Sequence, residues 1–130
     1  MLTIEHIREV EKLTIGKPYP FYAHQLRKVG FEKYEVTVKN HNRTFTYNIN
    51  EDIFVPGHFE EDLQCADTFE LSAVVAAIKN NQDGNTDYSK FLEEIAHAGV
   101  HSYVADLTEM QIIYNGKKVG ELYAEPIPSI

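Results

Sequence analysis

Apolar residues recur at helical spacing in four segments of the chain and alternate at strand spacing between them. In the first segment Ile4, Ile7, Val10 and Leu13 fall on one stripe, with Glu5, Arg8, Glu9, Glu11 and Lys12 on the other side. That spacing predicts an amphipathic helix, opened by Thr3 as N-cap and closed before Gly16 and Pro18. A second helix is expected from near Pro20 to about Val29, since a proline in the first turn removes no N–H that the helix needs. The period then changes. Tyr34, Val36 and Val38 alternate in an expected strand over 32–39, and Phe45, Tyr47 and Ile49 point the same way in a second over 43–50, across a polar hairpin loop.

Between 50 and 67 the pattern breaks down. Ile53, Phe54 and Val55 suit a short third strand before Pro56-Gly57, and Leu63 to Ala66 another, but seven acidic residues from Glu51 to Glu70 interrupt any regular period. Asp67 and Glu70 form a capping-box-like start to a third helix carrying Phe69, Leu71, Val74, Val75 and Ile78, with Ala73, Ala76 and Ala77 allowing close packing. It is the most apolar helix and is expected to be the most buried. A fourth is capped by Thr86 or Asp87 and places Tyr88, Phe91, Leu92 and Ile95 on one stripe. Gly99 supplies a left-handed stop, and Val100 the apolar contact that goes with it. Tyr103, Ala105 and Leu107 then alternate, and Ile112 to Tyr114 leads into Asn115-Gly116, a pair suited to a two-residue type I′ hairpin. A last strand is expected over about 118–124, ended by Pro126 and Pro128.

Sliding the chain by 69 residues lays Tyr88 on Tyr19, Phe91 on Tyr22, Ile95 on Leu26, Gly99 on Gly30, Val100 on Phe31 and Tyr103 on Tyr34. If the first hairpin loop holds two extra residues, Phe45 and Tyr47 fall on Ile112 and Tyr114. Few of these matches are identities; each half gives the same physical instruction in the same order, which counts for more. The expectation is one α+β domain over 1–130 with pseudo-repeats of about 1–66 and 67–130. It has two layers, about four helices on a mainly antiparallel sheet, because hairpins replace parallel βαβ alternation.

Composition narrows the function classes. A charge of −8 with no local basic patch argues against nucleic acid, which is held through lysine and arginine on phosphates. One cysteine, Cys65, excludes an intrachain disulfide and a cysteine-rich zinc site, and reads as a small buried hydrophobe. No apolar run is long enough to cross a bilayer, and the first residues form an acidic-basic amphipathic segment unlike a signal peptide. The expected setting is cytoplasmic, with no membrane partner.

The stretch GNTDYSKFLEEIAHAGVHSYVADLTEMQIIY, residues 84–114, followed by GKKVGELYAEPIP, 116–128, resembles the YbcV-like family of small bacterial and phage-borne proteins. That family is a domain of unknown function sometimes labelled "phage envelope protein". The similarity extends over nearly the whole chain, including FYAHQLRKVGFEKYEVTV. The family often carries tryptophan where Tyr103 stands, an exchange that keeps the aromatic role. The resemblance implies a fold and a bacterial setting; it brings no established activity, cofactor or catalytic residue.

The side chains available for chemistry are few. His97 and His101 flank the Gly99 stop, where a cation near a helix C-terminus is favoured by the dipole and a general base is the alternative. Asp106 lies on the strand face opposite Tyr103, as an exposed carboxylate or a buried acid-base group. His58, Glu60, Glu61 and Asp62 lie close in sequence but match no metal-ligand spacing, so no metal or other cofactor is expected. Fifteen aromatic residues, all Tyr and Phe, invite a groove between sheet and helices, with Tyr19, Tyr34, Tyr88 and Tyr103 facing each other across a pseudo-axis. The favoured reading is a non-catalytic binding or interaction module, bacterial or phage-borne, whose partner is a protein or small molecule. A homodimer by strand addition is its simplest form. The alternative is a small enzyme or ligand-binding protein with a tyrosine-lined pocket and Asp106 or His97 as acid-base group.

Overall fold

Each half of the chain turns from helix into sheet at a glycine. Gly30, at φ +124°, donates its N–H to the carbonyls of Leu26 and Arg27. Gly99, at φ +95°, donates to Ala96 while Val100 donates to Ile95, the bond pair of a Schellman stop. The computed structural model describes residues 1–130. Its elements are α1 (Ile4–Thr14), α2 (Tyr19–Val29), β1 (Phe31–Thr37), β2 (Asn42–Tyr47) and β3 (Glu51–Val55), then α3 (Leu71–Gln82), α4 (Tyr88–His97), β4 (Ser102–Asp106), β5 (Gln111–Asn115) and β6 (Leu122–Pro126). The six strands form one sheet in the order β3-β2-β1-β4-β5-β6, every neighbouring pair antiparallel. The fold is α+β, with a helix-helix-strand-strand order in both halves.

The two halves meet at β1 and β4. Glu35 stands opposite Val104, with Tyr34 opposite Ala105 on one side and Val36 opposite Tyr103 on the other. A shift of 69 residues exchanges those two flanking pairs, so an approximate twofold axis passes between Glu35 and Val104. The hairpins obey the same shift: Tyr34 pairs with Phe45 as Tyr103 pairs with Tyr114, and the left-handed turn residues His41 (φ 61°) and Met110 (φ 54°) correspond. The two extra residues expected in the first loop are therefore absent. Phe45 corresponds to Tyr114, and the alignment on Ile112 is corrected.

All four helices lie on one face of the sheet. Tyr34, Val36, Phe45, Tyr103, Ala105 and Tyr114 point into that layer and are buried against Ile7, Val10, Leu26, Leu92 and Ile95, which are at most 2% exposed. The other face of the sheet carries no helix.

Several sequence expectations are corrected. β2 ends at Tyr47, and Ile49 sits in the turn to β3 at φ +71°, 80% exposed, instead of aligning with Phe45. Leu63 to Ala66 forms no strand: Leu63 and Ala66 donate N–H groups to the carbonyls of Lys39 and Ala96, as part of a strap, residues 56–70, joining the halves. α3 starts at Leu71, not in a capping box, and Asp67 pairs with Lys117 at 3.1 Å. It is less buried than α4, since Leu71 and Val75 are 51% and 38% exposed. A helix apolar all round still buries only the stripe that meets its neighbours. On α1, Leu13 faces solvent, and the buried stripe is carried by Ile7 and Val10. Asn115-Gly116 makes no type I′ turn. Gly116 continues the ladder by donating to Glu121 at 2.7 Å, and a Cβ there would come within 2.9 Å of Phe69, so this glycine serves close approach. The reversal falls later, and Pro126 is tolerated within β6 because that strand is an edge.

Candidate functional site

Helix and strand lengths bring four tyrosines together. From Tyr19 to Gly30 the helix descends about 17 Å at 1.5 Å per residue, and from Gly30 to Tyr34 the strand returns about 13 Å. The two rings are thus carried back to the same level, and the interval from Tyr88 through Gly99 to Tyr103 is the same. The hydroxyl of Tyr19 bonds that of Tyr34, and Tyr88 bonds Tyr103 at 2.5 Å. Tyr34 and Tyr103 meet edge to face across the axis with centroids 6.5 Å apart. Burial drives the ionisation of Tyr34 and Tyr103 well above the ordinary phenol range and raises Tyr19, Tyr22 and Tyr114 too. Tyr88 is pushed up to about 12 by burial of its hydroxyl, although the residue as a whole is 45% exposed. All remain neutral near pH 7.

The N-terminal half adds a polar corner to this group. Arg43, only 16% exposed, bonds Glu11 through Nη1 at 2.8 Å and lies 5.4 Å over the Phe45 ring. His41 approaches the Tyr88 hydroxyl through Nε2 at 3.0 Å and stacks on Phe59 of the strap. Burial, assisted by the Arg43 charge, lowers the His41 pKa to about 4, so its ring is neutral at pH 7. Tyr22 Oη and Arg43 Nε are buried beside one another, and the guanidinium offsets part of the cost of burying the hydroxyl. Sequence reasoning missed this corner. Its signal was available in the 69-residue shift, which lays Tyr22 on Phe91, His41 on Met110 and Arg43 on Ile112.

The expected acid-base residues are dispersed. Asp106 accepts the N–H groups of Thr108 and Glu109, each at 3.0 Å, and stands on the sheet face opposite Tyr103. His101 Nε2 bonds the Ala66 carbonyl at 2.9 Å and ties down the strap. His97 is exposed in the last turn of α4. Cys65 is half-buried, its thiol pushed up by burial. No three of His, Cys, Asp and Glu are placed to share a metal ion.

On the uncovered face, one row across the sheet runs Phe54, Thr44, Glu35, Val104, Ile113, Ala124. It is polar toward the axis in the first half and apolar in the second. Leu122, 52% exposed, extends the apolar part on β6. Under the same shift Val104 replaces Glu35 and Ile113 replaces Thr44. Around the N-terminal part lies a shallow depression of about 280 Å³ lined by Lys33, Glu35, Thr44, Thr46 and Asp52. The two free edges are blunted, β3 by Glu51 and Asp52 and β6 by Pro126.

The family described as protein of unknown function (DUF1398) matches residues 8–126. The chain belongs to that family. No curated protein matches the chain. DUF1398 membership thus agrees with a domain of unknown function and carries no activity to it. None of the helices is long and apolar enough to cross a membrane.

Proposed function

We propose that this DUF1398 protein is a non-catalytic interaction module, bacterial or phage-borne and cytoplasmic, that docks a protein partner on the open face of β4, β5 and β6. The observation carrying this reading is the exchange of Glu35 and Thr44 for Val104 and Ile113 between halves otherwise built alike. The fold itself tolerates polar residues at those positions, so apolar ones on an uncovered sheet face call for another explanation. The partner is basic around an apolar centre. Glu35 and Asp106 adjoin the patch, Lys33 is the cation between them, and the whole chain carries −8. A second copy of this chain would set like charge against like.

Co-purification from native lysate tests this with the wild type and the double variant Ile113→Thr, Leu122→Ser. The wild type is expected to retain a basic protein in stoichiometric amount, released by salt. The variant, with unchanged circular dichroism, is expected to retain at least tenfold less. Equal retention by the variant contradicts the reading. So does a homodimer in light scattering that the same substitutions dissociate, or recovery of a metabolite alone.

A further inference from the structure

The strap over the second helix stop has no counterpart over the first. Ala66 and Glu70 donate their N–H groups to the carbonyls of Ala96 and Ala98, and Leu63 donates to that of Lys39 in the β1–β2 turn. Under the 69-residue shift those acceptors become Arg27, Val29 and Thr108, which stand together because Leu107 bonds Glu32 as Val38 bonds His101. No backbone donor of the chain reaches the Val29 or Thr108 carbonyl, and Arg27 accepts only from Gly30 beyond its own helix. Burial follows the same division. Ala98 is 3% exposed where Val29 is 36%, and Gly99 is buried where Gly30 is exposed. A Cβ on Gly30 would meet only Leu2 Cδ1 within 4 Å, so the ground that Thr68 and Phe69 cover at Gly99 is open at Gly30. The fold builds one seat for an extended segment twice and fills the second with its own strap.

We propose that the first seat, between the end of α2 and the β4–β5 turn, takes an acidic extended segment of a partner protein, laid as the strap is laid over Gly99. It is apart from the open face of β4, β5 and β6. Main-chain N–H groups four residues apart supply the bonds to Arg27 and Val29, the means by which an added strand is held. The charge of the occupant follows from α2. Arg27 and Lys28 stand in its last turn where α4 has Ala96 and His97, and neither makes an ion pair. Glu32, in place of His101, has its carboxylate committed to the Ile49 N–H, which leaves Glu109, next to Thr108, against two free cations. The strap carries Glu61, Asp62, Asp67 and Glu70, so a segment of its kind has the matching sign. The occupant differs from the strap at one place: Tyr47 stands where the second half has Gly116, whose missing side chain makes room for Phe69, so the residue at the Phe69 position is small.

Synthetic peptides of residues 61–70 carrying Cys65→Ser and Phe69→Ala, one acidic and one with every Asp and Glu replaced by its amide, are titrated into the 130-residue chain while backbone amide resonances are followed by NMR. The acidic peptide is expected to shift Val29, Gly30 and Thr108 saturably with a dissociation constant on the order of 1 mM, and the amide form to bind at least tenfold more weakly. Keeping phenylalanine at the Phe69 position is expected to weaken the acidic peptide at least threefold. Arg27→Glu with Lys28→Glu, at exposed positions and with unchanged circular dichroism, is expected to weaken it at least tenfold. Unmoved resonances at Val29, Gly30 and Thr108 overturn the seat. Equal binding by the amide or the phenylalanine form, or undiminished binding in the charge-reversed variant, overturns it equally. So do shifts centred on Gly99, where the peptide displaces the strap, or on Val104 and Ile113, where it takes the open face.

Discussion

Raising the pH beyond 10 is expected to unfold this domain in one cooperative step, with the buried phenols ionising together as the helices melt. Tyr19, Tyr22, Tyr34, Tyr103 and Tyr114 all have ionisation raised by burial above the unfolded value of about 10. A phenol whose folded value is raised stabilises the fold fully below the unfolded value and loses that contribution as pH rises toward the folded one. Above pH 10 the native state holds protons that the unfolded chain has released, so stability falls. Each group removes about 1.4 kcal/mol per pH unit, and the five together about 7 kcal/mol per unit. Tyr88 adds less, since the residue is half-exposed and solvent screens it. A domain of this size holds roughly 5–15 kcal/mol, so the transition should fall within about two units above pH 10. The tyrosinate ultraviolet spectrum and circular dichroism recorded on one sample check this. Gradual ionisation of all eight tyrosines with the helical signal intact would show that the cluster is open to water.

Gly99→Ala is expected to destabilise the domain by about 4 kcal/mol, and Gly30→Ala by only about 1–2 kcal/mol. Both glycines end a helix at positive φ, so both variants carry backbone strain. The surroundings differ. A Cβ on Gly99 would lie 2.2 Å from the Thr68 carbonyl oxygen and 2.6 Å from the Phe69 Cα, backbone that cannot turn aside. A Cβ on Gly30 would meet only Leu2 Cδ1, at 3.5 Å, an ordinary contact. The cause is the strap, which passes over the second stop and not the first, with Glu70 donating to the Ala98 carbonyl at 2.8 Å. Urea denaturation of the two variants gives the comparison directly. Equal losses would mean that the strap does not press on Gly99.

Local chemistry was legible in the sequence where one interaction dominates. The stops at Gly30 and Gly99 and the Asp87 cap, which accepts the Lys90 N–H at 2.8 Å, follow from backbone requirements within a few residues. The meeting of Tyr19, Tyr34, Tyr88 and Tyr103 was legible for a geometric reason: the helix and strand arms on either side of each glycine have equal lengths in the two halves. What escaped the sequence depends on distant neighbours. Gly116 reads as a turn residue until Phe69 is seen against it, and Leu71 and Val75 read as core until the seam of α3 is known. The Arg43 corner was hidden by an alignment that allowed two residues too many in the first hairpin, which moved Phe45 off Tyr114 and obscured the exchange of Arg43 for Ile112.

The two halves join at β1 and β4 in a register that places Glu35 opposite Val104. Nuclear Overhauser contacts between the backbones of these strands test that most directly. The expected pattern pairs Tyr34 with Ala105 and Val36 with Tyr103 on either side of the Glu35–Val104 pair. Contacts placing Glu35 opposite any other residue, or β1 beside a strand other than β2 and β4, would contradict the shared interior, the open face and the comparison between halves that both functional proposals use.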